Sequence, residues 1–349
     1  MTKESLFGKS LLELEAVAID LGLPKFIGGQ LAYWLYQSNV SFEEQFSNIS
    51  KKNRELIFSH YQLGLQLPIK VQVSEDGTKK YLYPALEGKF IEAAYMPDLK
   101  RNTLCVSTQV GCKMGCLFCM TAKQGFQGNL SAGDVLNQLR SLPEREAVTN
   151  IVFMGMGEPF DNTANVLKTL EILTASWGFG MSSRKITVST IGIIPGIRAF
   201  LENSPCNLAI SLHSPFDDER RKLMPVQHVY PIKDVIETIH QYDLSRYRKL
   251  SFEYILFKDI NDTPRHVKEM ARLLNKLRCR VNLLRFHPVP NAPFVGSDEA
   301  TILAFQQSLK DKGIMTTVRK SRGLDIDAAC GLLSTKVMGE GDGVRVMGG

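Results

Sequence analysis

The sequence has no apolar run long enough to span a bilayer, which leaves no candidate membrane-spanning helix. It has no internal repeat and no low-complexity segment, which excludes a solenoid and a compositionally disordered chain. Its opening, MTKESLFGKSLLELEAVAID, scatters acidic residues through the apolar part, and this predicts no secretory signal. Charge of one sign is not in large excess: 42 Lys plus Arg stand against 36 Asp plus Glu, for a net +6. That balance is compatible with a polyanionic partner and does not require one. Cysteine is sparse and odd in number, seven in 349 residues, and three of the seven fall in one cluster. This argues against a secreted disulfide framework and for a reducing, cytoplasmic setting. Only one C-x-x-C unit exists, Cys116 to Cys119, so the paired units of a common structural zinc site are missing.

What is present divides along the chain. The apolar fraction of 44% is that of an ordinary globular core, and the length suits an α/β barrel with an appendage as well as two separate domains. SLLELEAVAIDLGLPKFIGGQLAYWLYQ has helical apolar spacing, interrupted by Pro24 and Gly28-Gly29, and FEEQFSNISKKNRELIFSHY adds a further helical stretch. Residues 1–65 are therefore predicted to form a helical accessory domain. Residues 66–98 alternate in polarity around Asp76-Gly77 and predict a β-hairpin linker region. From residue 99 to 333, short apolar strands alternate with helices, the pattern of a parallel sheet, open or closed into a barrel. The strand candidates are TLCVST, NIVFMG, KITVST, NLAISL, LSFEYIL, RVNLLRF and MTTVRK. Residues 334–349, rich in glycine, are predicted to be a flexible tail.

In parallel α/β folds the chemistry sits at the carboxyl ends of the strands. Here those ends lead to the cysteine cluster, to Gly157-Glu158, to Ser189-Thr190, to Ser211-Leu212-His213, to His287 and to Cys330. Taken singly, Glu158 reads as a carboxylate at a helix start, and either histidine reads as a satisfied polar residue. Cys105 and Cys330, taken singly, read as core cysteines, as do Cys206 and Cys279. The triplet Cys112, Cys116, Cys119 reads as a metal site. Two readings of it stay open: zinc with Cys105 as fourth ligand, or a cubane iron–sulfur cluster with one iron left open.

The spacing C-x3-C-x2-C, with Phe118 before the last cysteine, resembles the radical S-adenosylmethionine enzymes, and GMGEP resembles their glycine–glutamate motif. LCVSTQVGCKMGCLFCMTAKQGF, VFMGMGEP, ITVSTIGIIPGI, ISLHSP, LMPV and GLDIDAACG are similar, in order, to the RlmN/Cfr family of RNA adenine methyltransferases. VRKSRGLDIDAACG and KQGFQGNL are more similar to the RlmN branch. The resemblance implies an α/β fold with a partial (β/α) barrel and an N-terminal accessory domain that contacts RNA. It implies one [4Fe-4S] cluster on Cys112, Cys116 and Cys119, and S-adenosylmethionine used twice per turnover. It implies cofactor contacts at Gly157, Glu158, Ser189, Ser211, Leu212, His213 and His287. At the last of these, family members commonly carry Asn-Pro where this chain has His287-Pro288, and an imidazole can also donate or accept a hydrogen bond.

The implied reaction is methylation of carbon 2 of an adenine in 23S ribosomal RNA, at the peptidyl-transferase centre, and in transfer RNA. Carbon 2 is electrophilic and cannot attack a methyl sulfonium. In the family a cysteine, here Cys330, is first methylated; a hydrogen is taken from its S-methyl group, and the carbon radical adds to the ring. A base, here Glu92, removes the ring proton, and a second cysteine, here Cys105, attacks the thioether sulfur. A Cys105–Cys330 disulfide remains for a cellular reductant to reset. Carbon-8 methylation of the Cfr type and a non-catalytic zinc module that binds RNA are the alternatives. Lys51-Lys52-Arg54, Arg220-Arg221-Lys222, Arg246-Arg248-Lys249 and Arg319-Lys320-Arg322 are candidate phosphate contacts, and the chain is expected to act as a monomer.

Overall fold

The structure, a computed structural model, describes residues 3–38, 40–86, 88–244 and 248–335. Arg246 and residues 336–349 of the expected tail lie outside the described residues.

The main sheet has ten strands whose order in space is their order in the chain. Counting only these strands, β1 is Lys70–Val73, β2 Lys79–Pro84, β3 Phe90–Met96, β4 Thr103–Cys105 and β5 Asn150–Phe153. Next come β6 Ile186–Thr190, β7 Asn207–Ser211, β8 Leu250–Leu256, β9 Cys279–Arg285 and β10 Met315–Val318. From β4 to β10 all neighbours are parallel. Each of the seven strand candidates of the core appears. Their inward residues line one common cavity, so the sheet curls into a partial barrel.

The hairpin region does not merely connect. Its strands β1–β3 pair antiparallel with one another and β3 with β4, so they extend the same sheet. The turn between β1 and β2 also grips the far end of the chain: Ser74 Oγ donates to Asp325 Oδ1 at 2.5 Å, and Gly323 N donates to Asp76 Oδ2 at 3.1 Å.

In the N-terminal part, Ser10 and Glu13 form a reciprocal cap that starts the helix Leu11–Asp20. A second helix, Phe26–Ala32, contains Gly28 and Gly29, which the sequence pattern placed at an interruption. The reason is packing. A Cβ on Gly28 would lie 2.5 Å from Glu15 N, so this glycine lets the two helices approach closely. A third helix, Lys51–His60, is capped by Ser50. Among the described residues no helix is long and apolar enough to cross a membrane.

Candidate active site

The loop after β4 carries the cysteine triplet. Gly111 has φ +69°, and a Cβ there would lie 1.6 Å from Gly125 O, so the loop closes on itself only with glycine. Phe118 packs edge-on against His213, ring centroids 4.8 Å apart, which seats the loop on the end of β7.

Cys112, Cys116 and Cys119 line a cavity of about 1060 Å³. Burial first, then the nearby thiols and Glu158, push the Cys112 thiol up to about 12 and that of Cys116 well above its ordinary value. Three such groups are thiolates together only if positive charge is brought to them. Among the described residues, no three His, Cys, Asp or Glu side chains converge as ligands of a single ion. The donor set is three thiols lining one cavity. Three soft thiolate donors fit the ligand chemistry of an iron–sulfur cluster.

Next to the thiols lies Glu158. Its Oε1 accepts from Thr190 Oγ1 at 2.6 Å and Phe160 N at 3.0 Å, and its Oε2 accepts from Ile191 N at 2.9 Å. Three donors leave one acceptor direction open. Burial raises its carboxyl to about 7. Gly157 has φ +97° and approaches Gln109 so closely that a Cβ would lie 2.5 Å from its Cβ. The amide of Ile255 donates to His213 Nδ1 at 3.0 Å, so the ring proton sits on Nε2. Burial, with Arg220 nearby, lowers His213 to about 3 and keeps it neutral. Ser189, Ser211 and His287 also line the cavity. His287 Nε2 lies 2.8 Å from Ser321 Oγ. Leu212 does not line it: its side chain is fully buried in the main core, at 0% exposure.

Arg220 was expected on an RNA-facing surface and is instead 0% exposed. It donates to the carbonyls of Leu212, Ile191 and Ser211 and to Gln227 Oε1, tying together the ends of β6 and β7. Its charge reaches Cys116. Arg248 is likewise engaged internally, on the carbonyls of Leu201 and Ser204. Lys51, Lys52, Arg221, Lys222, Lys249 and Lys320 are exposed.

Cys105 ends β4 and is 5% exposed; Cys330 follows β10 and is solvent-accessible, yet protein surrounds it because it opens into the cavity. The charges of the two thiols interact, and Cys330 also feels Cys119. Both are free thiols. The helix Met120–Gln124, just after the triplet, holds the Cys330 segment: Met120 N donates to Gly331 O at 2.8 Å and Thr121 Oγ1 to Leu333 O at 2.6 Å. Glu92 is close to this segment but not on the cavity wall. It pairs with Lys80 at 3.1 Å and accepts from Ser334 N at 3.0 Å.

Several wall residues were not singled out from sequence. Arg101, Arg280 and Arg285 make part of the cavity strongly cationic, with Arg319 and Arg322 beside them. Burial and the charges of Arg319 and Arg280 lower Arg101. Cys279, read as a core cysteine, is half-buried on the same wall, while Cys206 is in the core. Glu253 and Asn282 also line the cavity. The available signal was alternation: Ser251, Glu253, Ile255 and Arg280, Asn282, Leu284 are inward positions of strands otherwise apolar.

A curled parallel sheet with this thiol loop and glycine–glutamate turn defines a radical S-adenosylmethionine enzyme, and the profile of the radical SAM superfamily matches residues 106–274. Membership implies S-adenosylmethionine and a [4Fe-4S] cluster. A crystal structure of a radical SAM methyltransferase from Sphaerobacter thermophilus superposes with a TM-score of 0.88 at 37% identity, covering 95% of this chain and 99% of that one. A Bacteroides fragilis protein named "Probable dual-specificity RNA methyltransferase RlmN" is 50% identical over 96% of this chain and 97% of its own length. The "Dual-specificity RNA methyltransferase RlmN" of Syntrophus aciditrophicus is 41% identical over 97% and 99%. The chain belongs to the RlmN family.

Proposed function

We propose that this protein methylates carbon 2 of an adenine in 23S ribosomal RNA, at the peptidyl-transferase centre, and of an adenine in transfer RNA. The observation that carries this reading is that Cys105, Cys330 and the three-cysteine loop share one cavity wall. Cys112, Cys116 and Cys119 hold the cluster. Bound there, the cluster would supply the electron for reductive cleavage of S-adenosylmethionine.

The remaining work belongs to the chain's own residues. The open acceptor direction of Glu158 takes the methionine ammonium, while Gly157, Ser189, Ser211, the Leu212 backbone, His213 and His287 border the rest of the cofactor. Cys330 would receive a methyl group, give up a hydrogen atom from it to the cofactor-derived radical, and add to the ring through that carbon, the adduct radical then returning one electron to the oxidised cluster. Glu92 takes the ring proton once the Ser334 segment moves off it. The Cys105 thiolate attacks the Cys330 sulfur and displaces the bridging carbon, which takes up a proton to become the methyl group of the released base, leaving a disulfide for a cellular thiol reductant. The target base must leave its stack to reach the cavity. Arg319, Lys320 and Arg322 at the wall, with Lys51 and Lys52 on the accessory domain, meet phosphates. The protein would act as a monomer in the cytoplasm, where a reducing setting keeps Cys105 and Cys330 available as thiols.

The test is mass analysis of ribosomal and transfer RNA nucleosides from cells lacking and regaining the gene. 2-Methyladenosine that disappears and returns supports the reading. 8-Methyladenosine would replace it with the Cfr-type activity, and no change in either nucleoside would leave the RNA-binding module.

A further inference from the structure

Among the described residues, three carboxylates line the cavity: Asp98, Glu158 and Glu253. In two of them, each oxygen already meets a partner. Asp98 receives Leu99 N and faces Arg322, and Glu158 receives three donors. Glu253 differs. Its Oε1 accepts from Asn282 Nδ2 at 2.7 Å and Ser251 Oγ at 3.0 Å, whereas no donor among the described residues reaches Oε2.

The carboxylate is held rigidly. Ser211, Glu253, Asn282 and Thr317 are register partners in one row across β7 to β10. Thr317 Oγ1 donates to Asn282 Oδ1 at 2.6 Å, which turns the Asn282 amide nitrogen toward Glu253. Such a chain fixes the plane of the carboxylate and presents one oxygen to the cavity. Glu253 also lies close enough to Cys330 for their charges to interact, and Cys330 is the residue that meets the base in the reaction proposed above.

We propose that Glu253 selects the target base, its free Oε2 accepting a hydrogen bond from the exocyclic amine of adenine. The inference rests on the RNA methyltransferase reading. A base bonded to Cys330 through its ring enters the cavity that Glu253 also lines. Adenine carries an amine at carbon 6; guanine and hypoxanthine carry a carbonyl there. A buried acceptor attracts the first and repels the others, because an unpaired carbonyl facing a carboxylate is left without a donor.

The variant Glu253→Gln tests this with a change of sign. Asn282 Nδ2 needs an acceptor, so the glutamine carbonyl takes the Oε1 position and its NH2 faces the cavity. An acceptor becomes a donor, and the preference should move from adenosine toward inosine. The substrates are RNA fragments identical except for adenosine, purine ribonucleoside or inosine at the target. Two readouts are taken: kcat/KM of the reconstituted enzyme, and affinity of the cluster-free protein by fluorescence anisotropy.

Wild-type protein should favour adenosine over purine ribonucleoside by about 10- to 100-fold, the range for a hydrogen bond to a charged group. In Glu253→Gln that factor should collapse, and the adenosine-to-inosine ratio should fall by at least tenfold in both readouts. A variant that keeps the wild-type ratios, or loses activity equally on all three RNAs, overturns the inference. So does wild-type protein indifferent to the missing amine, a result that needs no variant. Wild-type protein that methylates no adenosine defeats the functional reading instead.

Discussion

The carboxylate of Glu92 accepts a hydrogen bond from the amide of Ser334 at 3.0 Å, across 242 positions of sequence. It thereby fastens the segment carrying Cys330 to the middle of β3, beside its ion pair with Lys80. A proton acceptor in this position is covered until that segment shifts. Glu92→Gln should therefore give a folded protein whose Cys330 is still methylated, with the reaction stopped before release of methylated RNA. Intact-protein mass and RNA nucleoside analysis check the two halves. Wild-type turnover in this variant would leave Glu92 only its fastening role.

The paired cysteines should fail at different steps. Cys330→Ala has nothing to methylate and should form no adduct. Cys105→Ala keeps all three cluster ligands, stays coloured, and should accumulate protein joined to RNA through Cys330, visible on a denaturing gel and mapped by peptide mass. An adduct at Cys279, half-buried on the same wall, would reassign the carrier.

Glu158 predicts a pH dependence in the cluster-free protein. Its carboxyl titrates near 4.5 when unfolded and about 7 when folded. Between those values the folded state holds more protons, so this group's contribution to stability falls as pH rises. The full gap corresponds to roughly 3 kcal/mol. Denaturant melts of wild-type protein from pH 5 to 8 should show this loss, and Glu158→Gln should flatten the slope. An unchanged slope in the variant would assign the dependence to another group.

Arg220 should behave as a structural cation. Arg220→Ala removes the donor to the Ile191, Ser211 and Leu212 carbonyls and to Gln227 Oε1, of which Leu212 O keeps Ser214 N and Gln227 Oε1 keeps Ile232 N, at a cost on the order of 3 kcal/mol. Arg220→Lys restores charge but not the fork, and should recover only part of it. Neither change should alter the salt slope of RNA binding, whereas Arg319→Ala should lower it by about one. A reduced slope in Arg220→Lys would return that residue to the RNA surface.

The sequence by itself determined what depends on local spacing. The seven strands of the barrel, their alternation with helices and the three-thiol loop are written in periodicity and in residue intervals that hold in any context. It also placed most of the cavity wall, because residues at the carboxyl ends of parallel strands must gather when the sheet curls. Tertiary structure alone decided what depends on which surface meets which. Arg220 sits in a basic run that reads as a solvated face, yet it is buried because the ends of β6 and β7 and the Asp217–Leu223 helix close over it. Gly28 reads as a helix breaker, yet it lies inside a helix because Glu15 leaves no room for a Cβ. Leu212 lies between two wall residues and points away, as strand alternation requires, while Glu92 is hidden by the far end of the chain. Glu253 is one polar residue in an otherwise apolar strand; its free oxygen exists only because three strands align Ser251, Asn282 and Thr317 around it.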